Sequence, residues 1–174
     1  MNAKLDELNR LDRAEFTRQV GPIFEHSPWI AETVWSQRPF DSVEGLHGAL
    51  CSIVRAADSE KQLALIRAHP DLVGRAALAG TLTRASAGEQ ADAGLDRLSP
   101  EEIAQFQTAN AAYRKKFGFP FVICARLNKK EAMLAGFEHR LGNSRADEIA
   151  TALGEIFKIA ELRLRDITQL CPPN

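Results

Sequence analysis

An imidazole set against a proline is the pair in this chain best suited to moving a proton. His69-Pro70 closes the apolar-periodic run that ends in Arg67-Ala-His-Pro-Asp-Leu72. A proline cannot continue a helix, because its ring clashes with the preceding turn and it has no N–H. His69 is therefore expected at a helix C-terminus, where the dipole favours the imidazolium and the last carbonyls are free to bond. That placement suits an acid or a base, and it suits a simple helix cap equally well. Further on, Ser86-Ala-Gly-Glu89-Gln90 sets a carboxylate beside an amide. Ser86-x-x-Glu89 also fits a capping box with Ser86 at the N-cap and Glu89 at N3, and a capping glutamate can still face a pocket.

The third candidate is a charge among apolar residues. At about 100° per residue, Ile149, Leu153, Ile156, Ala160, Ile167 and Leu170 of the last helix share one stripe, and Arg163 falls inside it. Arg165 falls on the opposite side. An unpaired buried guanidinium costs roughly several kcal/mol, so Arg163 needs a partner. Either a carboxylate of the protein or an anionic ligand gripped by the planar fork would serve.

Helices must position these groups. Asp12-x-x-Glu15, Ser27-Pro28, Asp41-x-x-Glu44, Ser59-x-x-Gln62, Ser99-Pro100-Glu101-Glu102, Asn128-x-x-Glu131 and Ser144 all read as helix starts. The helix behind Ser99 carries Ile103, Phe106, Ala109 and Tyr113, and Gly118 with Pro120 ends it. Only Phe121-Val-Ile-Cys-Ala125 looks strand-like, and one such run cannot build a sheet; it is expected as an extended segment buried against helices. The fold class that follows is all-α, a compact single-domain bundle of about eight helices with one extended segment.

Composition narrows the function. The 174 residues are 45% hydrophobic and 26% charged with a formal net charge of −1, so no basic field argues for nucleic acid. No apolar run is long enough to span a membrane, and the charged first residues lack a signal-peptide core. Cys51, Cys124 and Cys171 are odd in number and widely spaced, which suits a reducing cytoplasm better than a disulfide framework. His26, His47 and His139 have no metal-ligand spacing, Gly74 and Gly80 form no phosphate loop, and no Gly-x-Ser-x-Gly elbow is present, so neither a metal nor a cofactor is expected.

Several segments together resemble the OHCU decarboxylase family, which acts on 2-oxo-4-hydroxy-4-carboxy-5-ureidoimidazoline in urate breakdown. They are Phe24-Glu-His-Ser-Pro-Trp29, Arg38-Pro-Phe40, His69-Pro-Asp-Leu72, Ser86-Ala-Gly-Glu-Gln90, Lys116-Phe-Gly-Phe-Pro-Phe-Val-Ile123 and Glu161-Leu-Arg-Leu-Arg-Asp166. The resemblance runs nearly end to end, and no key position departs from it.

The resemblance implies an all-α, cofactor-free, homodimeric enzyme that takes a small ureidoimidazoline carboxylate to CO2 and (S)-allantoin. It implies His69 as proton donor, with Glu89 and Arg163 completing the catalytic set. Pro70, Ser86, Ala87, Gly88, Glu89 and Gln90, together with Phe121, Val122, Ile123, Cys124 and Ala125, would line the substrate pocket. Two other classes compete: a different small helical lyase or hydrolase of ureido or imidazole compounds, and a non-enzymatic helical dimerisation module with Arg163 in a structural ion pair.

Overall fold

Capping side chains open six of the ten described helices. The computed structural model describes residues 3–169. Among these residues there are ten α-helices linked by turns and short 3-10 segments, with no strand. They are α1 (Ala3–Arg10), α2 (Arg13–Val20), α3 (Trp29–Val34), α4 (Val43–Ala56), α5 (Ser59–Ala68), α6 (Arg75–Leu78), α7 (Arg84–Asp92), α8 (Pro100–Phe117), α9 (Lys130–Arg140) and α10 (Arg145–Gln169). The expected all-α class holds. The count exceeds eight because the first run splits into α1 and α2, and because a single helical turn, α6, forms after the His69 segment. No helix among the described residues is long and apolar enough to cross a membrane.

Asp12 accepts from the Glu15 N–H at 2.8 Å and opens α2. Ser99 and Glu102 form the expected reciprocal capping box on α8, and Gly118 ends that helix at a φ of 77°, a left-handed C-cap that glycine adopts without strain. Four starts shift by one residue. Ser42 rather than Asp41 caps α4, and Asp58 rather than Ser59 accepts from the Lys61 N–H at the start of α5. Pro28 rather than Ser27 stands at the N-cap of α3, and Lys129 rather than Asn128 at that of α9, neither with a side-chain cap.

The described residues fall into two compact units, one comprising residues up to Ala68 and those from Phe157, the other His69–Ile156; the boundary lies inside α10. In the first unit Phe16, Phe24, Ile30, Leu46, Leu50, Leu65 and Ile66 are fully buried. Cys51 is buried there too, its Sγ 3.3 Å from His47 Nε2, and burial pushes the thiol up to about 11, which keeps it protonated at neutral pH. Cys171 and Leu170 lie outside the described residues.

The second unit is built on aromatic rings. Tyr113 meets Phe121 edge-on at 5.2 Å between centroids, and Phe121 stacks on Phe137 at 3.8 Å. Gly136 makes that stack possible, because a Cβ at its position would sit 3.2 Å from Phe121 Cζ. On α8 the buried face is Phe106, Asn110, Tyr113 and Phe117, so an asparagine stands where Ala109 was expected. On α10 the buried positions include Glu148, Ala152, Leu153, Ile156, Ile159, Ala160, Arg163 and Leu164. Ile149 and Ile167 are only half-buried, while Arg165 is exposed as expected.

Candidate active site

His69 follows the last residue of α5 and is buried, with 5% of its surface exposed. The segment behind it is bent tightly. Gly74 N–H donates to the Asp71 carbonyl at 3.3 Å, and a Cβ at Gly74 would sit 2.7 Å from Asp71 Cβ, so only glycine closes this turn. Val73 takes a φ of +52°, the left-handed region that a β-branched residue rarely enters. Gln90 spans the turn from α7. Its Oε1 accepts from the Val73 N–H at 3.1 Å, and its Nε2 donates to the Asp71 carbonyl at 3.4 Å.

The start of α7 corrects one expectation. Thr83, not Ser86, is the N-cap, and its hydroxyl accepts from the Ser86 N–H at 3.3 Å. A hydroxyl three residues earlier takes the capping role and moves Ser86 to N3 and Glu89 into the helix interior. Both are thereby released from the capping box. Ser86 and Gln90 are buried and Glu89 is half-buried, on one side of the helix, while Ala87 and Gly88 are exposed.

The expected extended segment ends one residue early: residues 121–124 carry no regular secondary structure, and the chain enters a 3-10 turn at Ala125 (Ala125–Leu127) that packs on α7. Side chains pin it from one side. Arg140 Nη1 donates to the Val122 carbonyl at 2.8 Å, and the Cys124 N–H donates to Glu155 Oε2 at 2.8 Å. Along an extended chain successive residues turn their peptide groups to opposite sides. The N–H and C=O of Ile123 are therefore turned away from these anchors, and Ile123 is half-buried where Phe121, Val122, Cys124 and Ala125 are buried. Burial pushes the Cys124 thiol above its ordinary value, and the Glu155 and Glu89 carboxylates add to the push. Within the second unit, the His69 turn, the Ser86/Glu89/Gln90 side of α7 and the 121–125 segment are tied together through these contacts. A cleft of about 400 Å³, mainly apolar, is lined by Val73, Leu82, Leu95, Leu98 and Ile103 together with Ala87 and Gln90 of α7.

Arg163 belongs to the first unit. Its charge meets a protein carboxylate: Nη1 donates to Glu25 Oε2 at 2.9 Å, and to the carbonyls of Ile23 and Pro22 at 3.3 and 3.4 Å. Both side chains are buried, at 7% and 3% exposure. His26, at a φ of +46°, bends the chain directly after Glu25. Glu25 had no assigned role in the sequence, although a carboxylate inside the apolar run Ile23-Phe24 is the same kind of signal that marked Arg163. Arg140, Glu148 and Asn110 were missed as well, and each stands on a buried helix face.

Comparison with known proteins adds an independent line. Residues 9–165 match the family model described as OHCU decarboxylase. The 2-oxo-4-hydroxy-4-carboxy-5-ureidoimidazoline decarboxylase of Haloferax volcanii is 46% identical over 93% of this chain and 94% of its own length. The uric acid degradation bifunctional protein PucL of Bacillus subtilis is 40% identical over 94% of this chain, which spans 32% of that longer protein. Among solved structures, one described as (S)-allantoin synthase superposes with a TM-score of 0.75 at 28% identity, over 94% of this chain and 53% of that one.

Proposed function

The chain belongs to the OHCU decarboxylase family, and we propose that His69 is the proton donor of its reaction, with Glu89 and Arg163 completing the catalytic set. The enzyme is a carboxy-lyase of urate breakdown that takes 2-oxo-4-hydroxy-4-carboxy-5-ureidoimidazoline to CO2 and allantoin. The observation that carries the residue assignment is the buried His69 at a turn tied to the Ser86/Glu89/Gln90 side of α7.

The substrate itself supplies the electron sink. The ring carbon that loses CO2 carries a hydroxyl and neighbours a C=N bond. As its bond to the carboxylate breaks, the electron pair forms a carbon–carbon double bond to that neighbour, and the C=N pair moves onto nitrogen, which takes a proton. The resulting enol becomes a ketone when the neighbouring carbon is protonated. No other group has to hold the electron pair, which supports a cofactor-free reaction. The protein's tasks are to orient the carboxylate out of the ring plane, to stabilise developing charge, and to deliver a proton to one face. His69, placed by Pro70, delivers it. Glu89 fixes the hydroxyl or the ureido N–H groups, and Arg163 binds an anionic or carbonyl oxygen. Ser86, Ala87, Gly88 and Gln90 line the pocket, as do Phe121, Val122, Ile123, Cys124 and Ala125. Within that segment the peptide groups of Ile123 read the planar ring edge. The same reading makes the chain one functional domain, cytoplasmic and homodimeric.

Gly88 offers a test of the pocket lining. A Cβ at this position meets no protein atom within 4 Å. Gly88→Ala should therefore stabilise α7 by about 1 kcal/mol through helix propensity, while the new methyl strikes the bound substrate. The melting temperature should rise as kcat/KM falls; a rise with unchanged kcat/KM would remove Gly88 from the lining.

The reading as a whole is tested by stereochemistry. With the unstable substrate generated from urate by the two upstream enzymes, circular dichroism follows the handedness of the allantoin formed. Spontaneous decay gives racemic product, so rapid growth of the (S) signal reports enzyme action. Racemic product at the uncatalysed rate from folded protein would sink the reading.

A further inference from the structure

The turn behind His69 is held in a conformation that its own sequence disfavours, and side chains of α7 and α8 hold it. Val73 is buried and left-handed, and no property of valine favours that region. Gln90 holds its N–H, as described above. Asn110 holds the peptide before it: Nδ2 donates to the Leu72 carbonyl at 2.8 Å, across 38 residues of sequence. Arg114, one helical turn further along α8, donates from Nε to both oxygens of Asp71, at 2.9 and 3.0 Å.

Asn110 is the informative member. It is 6% exposed on a face otherwise made of Phe106, Tyr113 and Phe117, where an apolar residue would pack without penalty. No donor among the described residues reaches its Oδ1, so within the chain the amide acts through its Nδ2–H bond to Leu72.

We infer that Asn110 is a positioning residue for the reaction: its bond to the Leu72 carbonyl, with Gln90 and Arg114 on either side, holds Val73 left-handed and so fixes where His69 stands. The inference rests on the reading of His69 as the proton donor. Asn110 touches no reacting atom in this scheme and acts only through the turn. Only Pro70 and Asp71 lie between His69 and Leu72, and the proline is stiff, so little slack separates the clamp from the imidazole.

The test compares the wild type with Asn110→Ala, Val73→Gly, the Asn110→Ala/Val73→Gly double variant, and Arg114→Gln as a surface variant that leaves the core intact. Losing the clamp misplaces the donor, so Asn110→Ala should lower kcat by about ten- to a hundredfold with KM changed by less than about threefold. Arg114→Gln should lower kcat in the same sense by a smaller factor. Glycine adopts the left-handed region freely. Val73→Gly should therefore restore part of the kcat lost in Asn110→Ala, whereas a general loss of packing would make the double variant worse than either parent. In parallel, protein labelled with 15N-histidine gives ring signals for its four histidines, with His69 assigned by its loss in His69→Asn. Asn110→Ala should displace the His69 signal and spare the other three, and the double variant should move it back. Wild-type kcat together with an unmoved His69 signal in Asn110→Ala, or a double variant worse than Asn110→Ala, would overturn the inference. A wild type that gives racemic product sinks the donor reading, and the His69 signal then still decides whether the clamp positions the ring.

Discussion

Asparagine in place of His69 should leave a folded chain that makes allantoin orders of magnitude more slowly than the wild type. The amide of asparagine can still donate and accept hydrogen bonds in the buried position, so substrate binding should weaken only modestly. It does not titrate near neutral pH and cannot hand over a proton. General acid catalysis contributes about 10²–10⁴-fold, and that factor is the expected fall in kcat for His69→Asn. Handedness should go with it, because protonation of the enol from bulk water has no preferred face. The two readouts are independent. A partial loss of rate with full (S) product would mean that another group delivers the chiral proton and that His69 acts earlier, on the departing carboxylate. Wild-type kcat would remove His69 from the catalytic set. Far-ultraviolet circular dichroism and the melting temperature check that the fold survives, which the position of His69 outside any helix favours.

The elements were legible where the signal is local. A capping hydroxyl or carboxylate acts within three residues, so Asp12, Ser99 and Ser144 could be read directly, and Ser99-Pro100-Glu101-Glu102 produced its capping box as written. Thr83 defeated the reading at α7 because two hydroxyls three residues apart compete for the same helix start, and which one wins depends on where Ser86 packs. The guanidinium on the apolar stripe of α10 was also legible, since helical periodicity is a one-dimensional property. Its carboxylate, Glu25, lies 138 residues away in sequence, and no periodicity reaches that far. Applied evenly, the rule that marked Arg163 would have marked more. Arg140 follows Met133 and Phe137 on the buried face of α9, and Asn110 stands between Phe106 and Tyr113 on that of α8. Each is a polar group at an apolar position, and each turns out to hold backbone of the candidate site: Arg140 the Val122 carbonyl and Asn110 the Leu72 carbonyl. Ser86, Glu89 and His69 could be singled out as chemistry-bearing residues. That the 121–125 segment is pinned from one side, turning the peptide groups of Ile123 to the other, could not, because that depends on where α9 and α10 run.

Glu148→Gln is expected to be the most damaging isosteric change in the second unit. Glu148 has no exposed surface, and its carboxylate collects four donors. Arg140 Nε reaches Oε1 at 2.8 Å, with Arg140 Nη2 and the Tyr113 hydroxyl on the same oxygen, while Asn143 Nδ2 reaches Oε2 at 2.7 Å. A glutamine presents an NH2 group to one of these donors and leaves the Arg140 charge buried without its counter-charge. Breaking one side of a buried pair costs about 3–5 kcal/mol, which at roughly 2–4 °C per kcal/mol lowers the melting temperature by about 10 °C. Replacing both partners, Arg140→Met with Glu148→Leu, should recover much of that stability, because no charge is then left buried alone. Turnover should not recover, because the Val122 carbonyl loses its Arg140 donor and the extended segment loses its anchor. A double variant that regained full kcat would detach the anchor from the site. The network also carries a pH signature. Burial first, and then the hydrogen bond to the Glu148 carboxylate, push the Tyr113 phenol well above its ordinary value of 10.0. Below pH 10 the folded and unfolded chains both hold the proton, and the full contribution to stability is present. Above it the unfolded chain releases the proton while the folded one retains it, so stability falls by up to about 1.4 kcal/mol per pH unit. Tyr113 is the only tyrosine in the sequence, so tyrosinate absorbance reports this group alone. The absorbance should stay silent above pH 10 until the chain unfolds, then appear in one step with the loss of structure. A smooth titration near 10 in the folded protein would show that Tyr113 is not locked to Glu148, and the stability argument for the network would fail with it.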